Sequence, residues 1–188
     1  MTEQGRVDLV RLRAVYERER AAVARATPDQ RDRIIRAQAS IDRDTHMVGR
    51  VGRFRLESDE HAERGGGDTA PTPLQYLLFG VATWLLSQTA RFAPLYQVEI
   101  GEATAEVRGR FSPADKLGLE GPGGAFQEVA VVLEVHSPAP AERVRELVAH
   151  AERGCHAAQS LRAAVPVPLL ARLNGDDLQL SQEGPEGG

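Results

Sequence analysis

The stretch from Thr72 to Trp84, which reads TPLQYLLFGVATW, constrains the fold more than any other part of the sequence. Thr72 can cap a helix, Pro73 suits the first helical position, and Gln75 stands where a capping box places Glu or Gln. Apolar residues follow on nearly every side as far as Leu86, so we predict a helix that is buried all round. The apolar run is shorter than the roughly 20 residues needed to cross a bilayer. The sequence therefore predicts a core or interface helix.

Composition and charge narrow the class of protein. The chain has 188 residues, 41% hydrophobic and 27% charged, as expected for a globular protein of one domain with or without an extension. The formal net charge of -4, with basic residues interleaved among acidic ones, argues against a nucleic-acid partner. The start has no apolar core of signal-peptide length and no segment qualifies as a membrane span, so we expect no membrane association and a cytoplasmic location.

Cys155 is the only cysteine in the chain. A single cysteine excludes an intramolecular disulfide and any cysteine-rich metal site. The five histidines are scattered, and none is paired with another at the spacing that zinc sites on helices use. We therefore expect neither a bound metal nor a cofactor.

The N-terminal residues 1–44 carry helical patterns. Apolar positions at helical spacing predict an amphipathic helix from Val7 to about Ala26. A second capping-box pattern begins at Thr27 and predicts another helix that carries Ile41. These narrow apolar stripes need a partner surface, because helices of this length are marginal alone in water. The sequence allows two partner surfaces for these stripes, the chain's own core or a second subunit.

The remaining sequence predicts strands with helices between them. Alternation from Thr45 to Glu57 indicates a strand or hairpin in which Gly49 and Gly52 mark a bend or bulge, and a glycine-rich loop precedes the central helix. The further predicted elements are a strand at 96–111 with a bulge near Gly101, a strand at 125–136, helices at 138–152 and 155–164, and a strand at 165–173. Consecutive strands favour an α+β fold with antiparallel sheets. We predict an α+β domain over residues 45–175 and a flexible tail over 176–188.

Several features of this sequence resemble the osmotically inducible protein C and organic hydroperoxide resistance family. They are the acidic SDE, the glycine-rich loop, the run DTAPTPLQYLL, and Cys155 between two helices. The resemblance covers roughly Val48 to Leu173. It implies an intertwined homodimer with antiparallel sheets around two buried central helices. It also implies thiol-based reduction of organic hydroperoxides, in which a peroxidatic Cys attacks the peroxide and a second Cys resolves the sulfenic acid as a disulfide.

The resemblance also assigns positions in this sequence. The family's peroxidatic Cys falls on Trp84, and its resolving Cys falls on Cys155. A family Glu falls on Gln75. The family Arg that lowers the pKa of the reactive thiol is matched by Arg64, with Arg55 as a second candidate. Two of the positions that define the chemistry are therefore changed.

A peroxidatic residue must provide a thiolate, and an indole provides none. The sequence thus predicts a divergent family member, related to hydroperoxide detoxification and oxidative stress but without two-Cys peroxidase activity. Its pocket at the dimer interface is then filled, or re-used for a small apolar ligand. Two alternatives stay open, so the chain is not assigned as an enzyme. Cys155 could serve alone in a one-Cys peroxidase or redox sensor, or the protein could be a non-catalytic structural or interaction protein.

Overall fold

The computed structural model describes residues 5–163 and 165–179. Its helices are α1 (Leu9–Arg25), α2 (Pro28–Arg31), α3 (Pro73–Tyr96), α4 (Ala141–Arg153) and α5 (His156–Arg162). Its strands are β1 (Ala37–Arg43), β2 (His46–Val51), β3 (Phe54–Ser58), β4 (Glu102–Arg110), β5 (Glu128–His136), β6 (Ala171–Leu173) and β7 (Asp176–Leu178). They form three antiparallel sheets, β1-β2-β3, β4-β5 and β6-β7. The predicted α+β class is confirmed.

The central helix α3 begins where the sequence predicts. The Thr72 hydroxyl accepts a hydrogen bond from the Gln75 backbone at 3.4 Å, and the Gln75 side chain accepts one from the Thr72 backbone at 2.8 Å. These two bonds satisfy N–H groups that a helix start otherwise leaves unpaired. The helix continues to Tyr96 and ends at Gln97, which has a left-handed backbone conformation. None of the helices in the described ranges is both long and apolar enough to cross a membrane.

The core lies where α4, β4 and the N-terminal segment pack on the second half of α3. Buried Ala93, Val98, Ile100 and Leu147 form its centre. Around it, the Phe92 ring stacks on His150 with 4.0 Å between centroids. Burial, with Arg153 nearby, lowers the pKa of His150 below its usual value. A neutral ring at neutral pH is compatible with this apolar position.

Helix α1 packs on α3 of its own chain. The Tyr16 ring meets the Phe92 ring edge-on at 6.1 Å, and Arg13 donates to the Pro94 carbonyl at 3.3 Å. Arg91 and Glu19 form an ion pair between the same two helices. The amphipathic stripe of α1 therefore has a partner surface within the chain, one of the two arrangements that the sequence left open.

Within the single chain, the burial of α3 is confined to one side. Val81 and Leu85 are buried, whereas Leu77 is exposed and Phe79 is 64% exposed. Helix α3 thus has more apolar surface than the rest of the chain covers. The exposed side is the one that the predicted intertwined homodimer would bury, and that dimer stays a prediction.

The predicted second N-terminal helix is wrong beyond its first turn. Helix α2 spans only Pro28–Arg31, and Ala37–Arg43 forms β1, which pairs with β2. The capping signal at Thr27 is real, because its backbone donates to the Gln30 side chain at 3.1 Å. Strand pairing with β2 then determines the structure of the following residues. The division at residue 45 runs through this sheet and stays a prediction.

Other boundaries also differ from the predictions. Gly49 is not a bend: it lies inside β2, where a Cβ atom would stand 2.7 Å from the Gln38 carbonyl oxygen, so β1 approaches too closely for a side chain. The hairpin turns instead at Gly52, which has a positive φ of 57°. Strand β4 begins at Glu102 without the bulge predicted near Gly101.

The C-terminal predictions are met in part. The strand predicted at 165–173 is reduced to Ala171–Leu173, and β7 lies at the start of the predicted tail. Asn174 and Gly175 form the turn, both with positive φ. Ala164, at the end of the predicted 155–164 helix, and tail residues 180–188 lie outside the described residues, as do residues 1–4 of the predicted extension.

The loop between β3 and α3 is organised by the side chain of Asp59. This carboxylate is only 2% exposed and accepts hydrogen bonds from the Thr69 hydroxyl at 2.8 Å, the Gly67 backbone at 2.9 Å and the Glu60 backbone at 2.9 Å. The Thr69 hydroxyl is the main cause that lowers the pKa of Asp59 to about 2, with the backbone N–H groups adding to it. The glycine-rich loop is thus folded around a buried charge.

Candidate functional site

Trp84 of α3 and Cys155, which directly precedes α5, lie in one hydrophobic cluster. Its buried members are Leu85, Ala151 and Cys155, and Trp84 packs against them from the side. Cys155 is 0% exposed. The only thiol of the chain therefore belongs to a residue that is buried among apolar side chains.

The Trp84 indole joins α3 to the junction of α4 and α5. Its Nε1 donates to the Gly154 carbonyl at 3.3 Å, and its ring meets the His156 ring at 5.4 Å with an angle of 64°. Gly154 permits the close approach of α3, because a Cβ atom there would lie 3.0 Å from the Phe92 ring. The indole thus packs against the Cys155 cluster and has its polar atom satisfied.

A cavity of about 260 Å³ lies beside Cys155. Its uncharged lining consists of Val81, Leu85, Val129, Val131, Leu133, Val148, Cys155 and Ala158. Glu152 and Arg162 also line it, and they form an ion pair at 2.8 Å. The lining suits an apolar guest, and the ion pair supplies its only charged groups.

The other two predicted site residues have local roles. Gln75 is exposed, and its side chain caps the start of α3. Arg64 lies in a short 3-10 turn at Ala62–Arg64 and pairs with Glu60 at 3.6 Å. Among residues 5–163 and 165–179, neither side chain forms a hydrogen bond or an ion pair with Trp84 or Cys155. The structure therefore brings two of the four predicted positions together and leaves the other two apart.

Comparison with known families and structures identifies the relationship. The sequence model described as OsmC-like protein matches residues 65–169, more than half of the chain. The chain belongs to the OsmC-like family. The resemblance found in the sequence, which covers Val48 to Leu173, is thereby confirmed. A search of functionally curated proteins finds no match to the chain.

Solved structures with an OsmC-like fold resemble the chain over most of their length. An OsmC-like protein from Mycoplasma pneumoniae matches with a TM-score of 0.61 at 22% identity, over 71% of this chain and 90% of that chain. An organic hydroperoxide resistance protein from Legionella pneumophila matches with a TM-score of 0.51 at 21% identity, over 69% and 90%. An OsmC-like protein from Vibrio cholerae matches with a TM-score of 0.56 at 9% identity, over 69% and 94%. Likenesses at these identities show the fold.

In this OsmC-like protein, Trp84 packs against the Cys155 cluster. The match of Trp84 and Cys155 to the two family cysteines remains a prediction. The sequence reasoning missed the Gly154 carbonyl that accepts from Trp84 and the ion pair of Glu152 with Arg162. Gly154 could have been found as the residue that ends α4 next to Cys155. The ion pair joins residues ten positions apart across a helix junction, and no local pattern predicts such a contact.

No group of three or more His, Cys, Asp or Glu side chains among residues 5–163 and 165–179 is arranged to hold a metal ion. The reactive side chains near Trp84 include the Cys155 thiol and the His156 imidazole.

Proposed function

We propose that this OsmC-like protein has lost the two-Cys peroxidase reaction and uses the region around Trp84 to bind a small apolar molecule. The observation that carries the proposal is the Trp84 indole, which occupies the position matched to the peroxidatic Cys and packs against the cluster that contains the only cysteine of the chain. The fold is retained, and the nucleophile is replaced by a side chain that cannot react with a peroxide.

No neighbouring group replaces the missing nucleophile. Thr83 is next to Trp84, but its hydroxyl donates to the Phe79 carbonyl of its own helix at 2.8 Å. A hydroxyl also cannot enter the sulfenic acid and disulfide cycle on which thiol peroxidases depend. Because the chain has one cysteine, no intramolecular disulfide can close such a cycle.

The cavity beside Cys155 supports the binding part of the proposal. Its lining is largely aliphatic, and pockets of this composition favour apolar ligands because burial removes their surface from water. We further propose that the chain works as a homodimer whose interface covers the exposed side of α3. Trp84 is the only tryptophan, so quenching of its fluorescence reports occupancy by an apolar quencher such as a bromoalkane. Fluorescence that is unchanged up to the solubility limit contradicts this part.

The structure gives less support to the two alternatives. A one-Cys peroxidase or redox sensor needs an accessible thiolate, whereas the Cys155 sulfur is enclosed by Leu85 and Ala151. An interaction protein that binds partners through its N-terminal helices needs a free apolar face, whereas α1 already packs on α3. The proposed function therefore rests on the Trp84 and Cys155 pair.

The direct test is steady-state reduction of an alkyl hydroperoxide by the full chain with dithiothreitol as the reductant. We expect no turnover above the protein-free rate, because the only thiol is enclosed and lacks a partner Cys. The Cys155→Ser variant should give the same background rate. Turnover that disappears in Cys155→Ser contradicts the proposal and supports a one-Cys enzyme.

A further inference from the structure

The sheet of β1, β2 and β3 has one apolar face and one polar face. Side chains alternate between the faces along each strand, and the pairing register aligns them across strands. Ala39, Ile41, Met47, Phe54 and Leu56 share the apolar face. Gln38, Ser40, Val48, Arg50, Arg55 and Glu57 share the other, which we call the polar face. The polar face is separate from the Trp84 and Cys155 cluster and plays no part in the proposed function.

Two positive charges stand directly opposite one another on the polar face. Arg50 of β2 is paired in register with Arg55 of β3, and Gln38 of β1 lies opposite Arg50 on the other side. Like charges placed directly across a strand pair repel one another. Arg55 has an ion pair with Glu57, whereas no ion pair of Arg50 is found among the described residues. The pair therefore carries a positive charge that the chain itself does not balance.

The same residues surround a depression of about 420 Å³. Its lining includes the long side chains Gln38, Arg50 and Arg55 of the polar face, together with Gly49. Gly49 lets β1 and β2 approach closely, since a Cβ atom there would stand 2.7 Å from the Gln38 carbonyl oxygen. The depression is thus a concave surface with two guanidinium groups at its edge.

We propose that this depression binds a compact dianion of the phosphate and phosphomonoester class. A guanidinium group has five N–H donors in a planar fork that matches two oxygens of a phosphate. Arg55 can therefore contact both Glu57 and an anion, while the whole fork of Arg50 is available. The Gln38 amide and the Ser40 hydroxyl add uncharged donors. A dianion between the two guanidinium groups replaces their mutual repulsion with attraction to both.

The surrounding charges favour a compact anion over a nucleic acid. A second depression of about 650 Å³ has four carboxylates in its lining, against one Arg and one His: Asp42, Asp44, Asp59 and Glu57, with Arg43 and His46. A polyanion long enough to follow the strands past Arg50 would meet these carboxylates. The net charge of -4 also opposes a polyanion. A single phosphate group can use the two Arg residues without reaching the acidic end.

Binding is measured by calorimetric titration of the full chain at low and constant ionic strength, with inorganic phosphate and methyl phosphate as separate probes. We expect saturable binding that falls by at least about tenfold in Arg50→Gln and in Arg55→Gln, because each removes a charge-assisted contact. Arg53→Gln is the matched control. It removes the same charge from the same hairpin, and its guanidinium lies 5.1 Å over the Phe54 ring. Its affinity should equal that of the wild type.

Thermal unfolding provides a second readout. Phosphate should raise the Tm of the wild type and of Arg53→Gln, and it should leave that of Arg50→Gln unchanged. Tighter binding of methyl phosphate than of phosphate indicates an esterified ligand, and the reverse indicates the free ion. Equal loss of affinity in all three variants, or no saturable binding, overturns the proposal. Binding of a single-stranded oligonucleotide alone, with a steep salt dependence, also overturns it and indicates a nucleic-acid surface.

Discussion

Replacing Trp84 by Cys is expected to give a protein that forms an intramolecular disulfide with Cys155 when treated with one equivalent of an alkyl hydroperoxide. The introduced thiolate would attack the peroxide, release the alcohol and become a sulfenic acid. The Cys155 thiol would then displace water from that sulfur and form the disulfide. The contact of Trp84 with the Cys155 cluster is the reason for this expectation. Loss of free thiol, read by intact mass and thiol titration, measures it.

Two control variants separate the thiol chemistry of Trp84→Cys from the loss of stability that removal of the indole causes. Trp84→Ser leaves a hole of similar size and has no second thiol, so it should fold with the same reduced stability and stay unreactive. The expected cost in both is about 3 kcal/mol of unfolding free energy, since a large side chain leaves a cavity. The double variant Trp84→Cys with Cys155→Ser should stop at the sulfenic acid. A folded Trp84→Cys protein that forms no disulfide contradicts the match of Trp84 to the peroxidatic position.

Asp59→Asn is expected to lower the Tm by roughly 5 °C, because buried hydrogen bonds to a charged acceptor are lost. One carboxylate oxygen of Asp59 accepts from Gly67 and Thr69, and the other accepts from Glu60 and Thr45. An amide has one oxygen, so either orientation turns an NH₂ group towards N–H donors. Thermal unfolding followed by circular dichroism measures the change. Asp29→Asn, an exposed change in α2, should leave the Tm within a degree or so.

The lowered pKa of Asp59 also predicts how the stability of the protein depends on pH. The pKa of Asp59 is about 2 in the folded protein and 3.8 in its ordinary state, so the folded protein favours the ionised form. Its contribution is fully present above the ordinary value and is lost as the pH falls through about 2. Asp68, whose pKa is lowered mainly by its hydrogen bond with His61, adds to the loss in the same direction. The Tm difference between wild type and Asp59→Asn should therefore shrink over this range, and a constant difference contradicts the assignment.

Local signals predicted the start of α3 and the alternating pattern of β5 well. The capping residues Thr72 and Gln75 make the predicted bonds, and the alternating residues of β5 pair with β4 over the whole strand. These features depend on neighbouring residues, so the sequence alone contains them. The predicted helix through Ile41 failed because its length depended on a partner strand that lies later in the chain.

The candidate site was predictable only in part. The resemblance pairs Trp84 with Cys155 from the sequence alone, and in the structure Trp84 packs against the cluster that contains Cys155. It could not show that Arg64 pairs with Glu60, because the course of a long glycine-rich loop depends on the Asp59 hydrogen bonds. Nor could it show that Arg50 and Arg55 are opposite one another, since the register follows from the turn at Gly52, whereas the sequence predicted a bend or bulge at Gly49 as well.

The central claim is that Trp84 has replaced the reactive thiol and that Cys155 is an enclosed structural residue. The most direct measurement is the intact mass of the native wild-type chain after treatment with excess alkyl hydroperoxide and dimedone, a trap for sulfenic acids. We expect an unmodified Cys155, because its side chain is 0% exposed, and modification only after unfolding in denaturant. A dimedone adduct or added oxygen at Cys155 in the folded protein would contradict it.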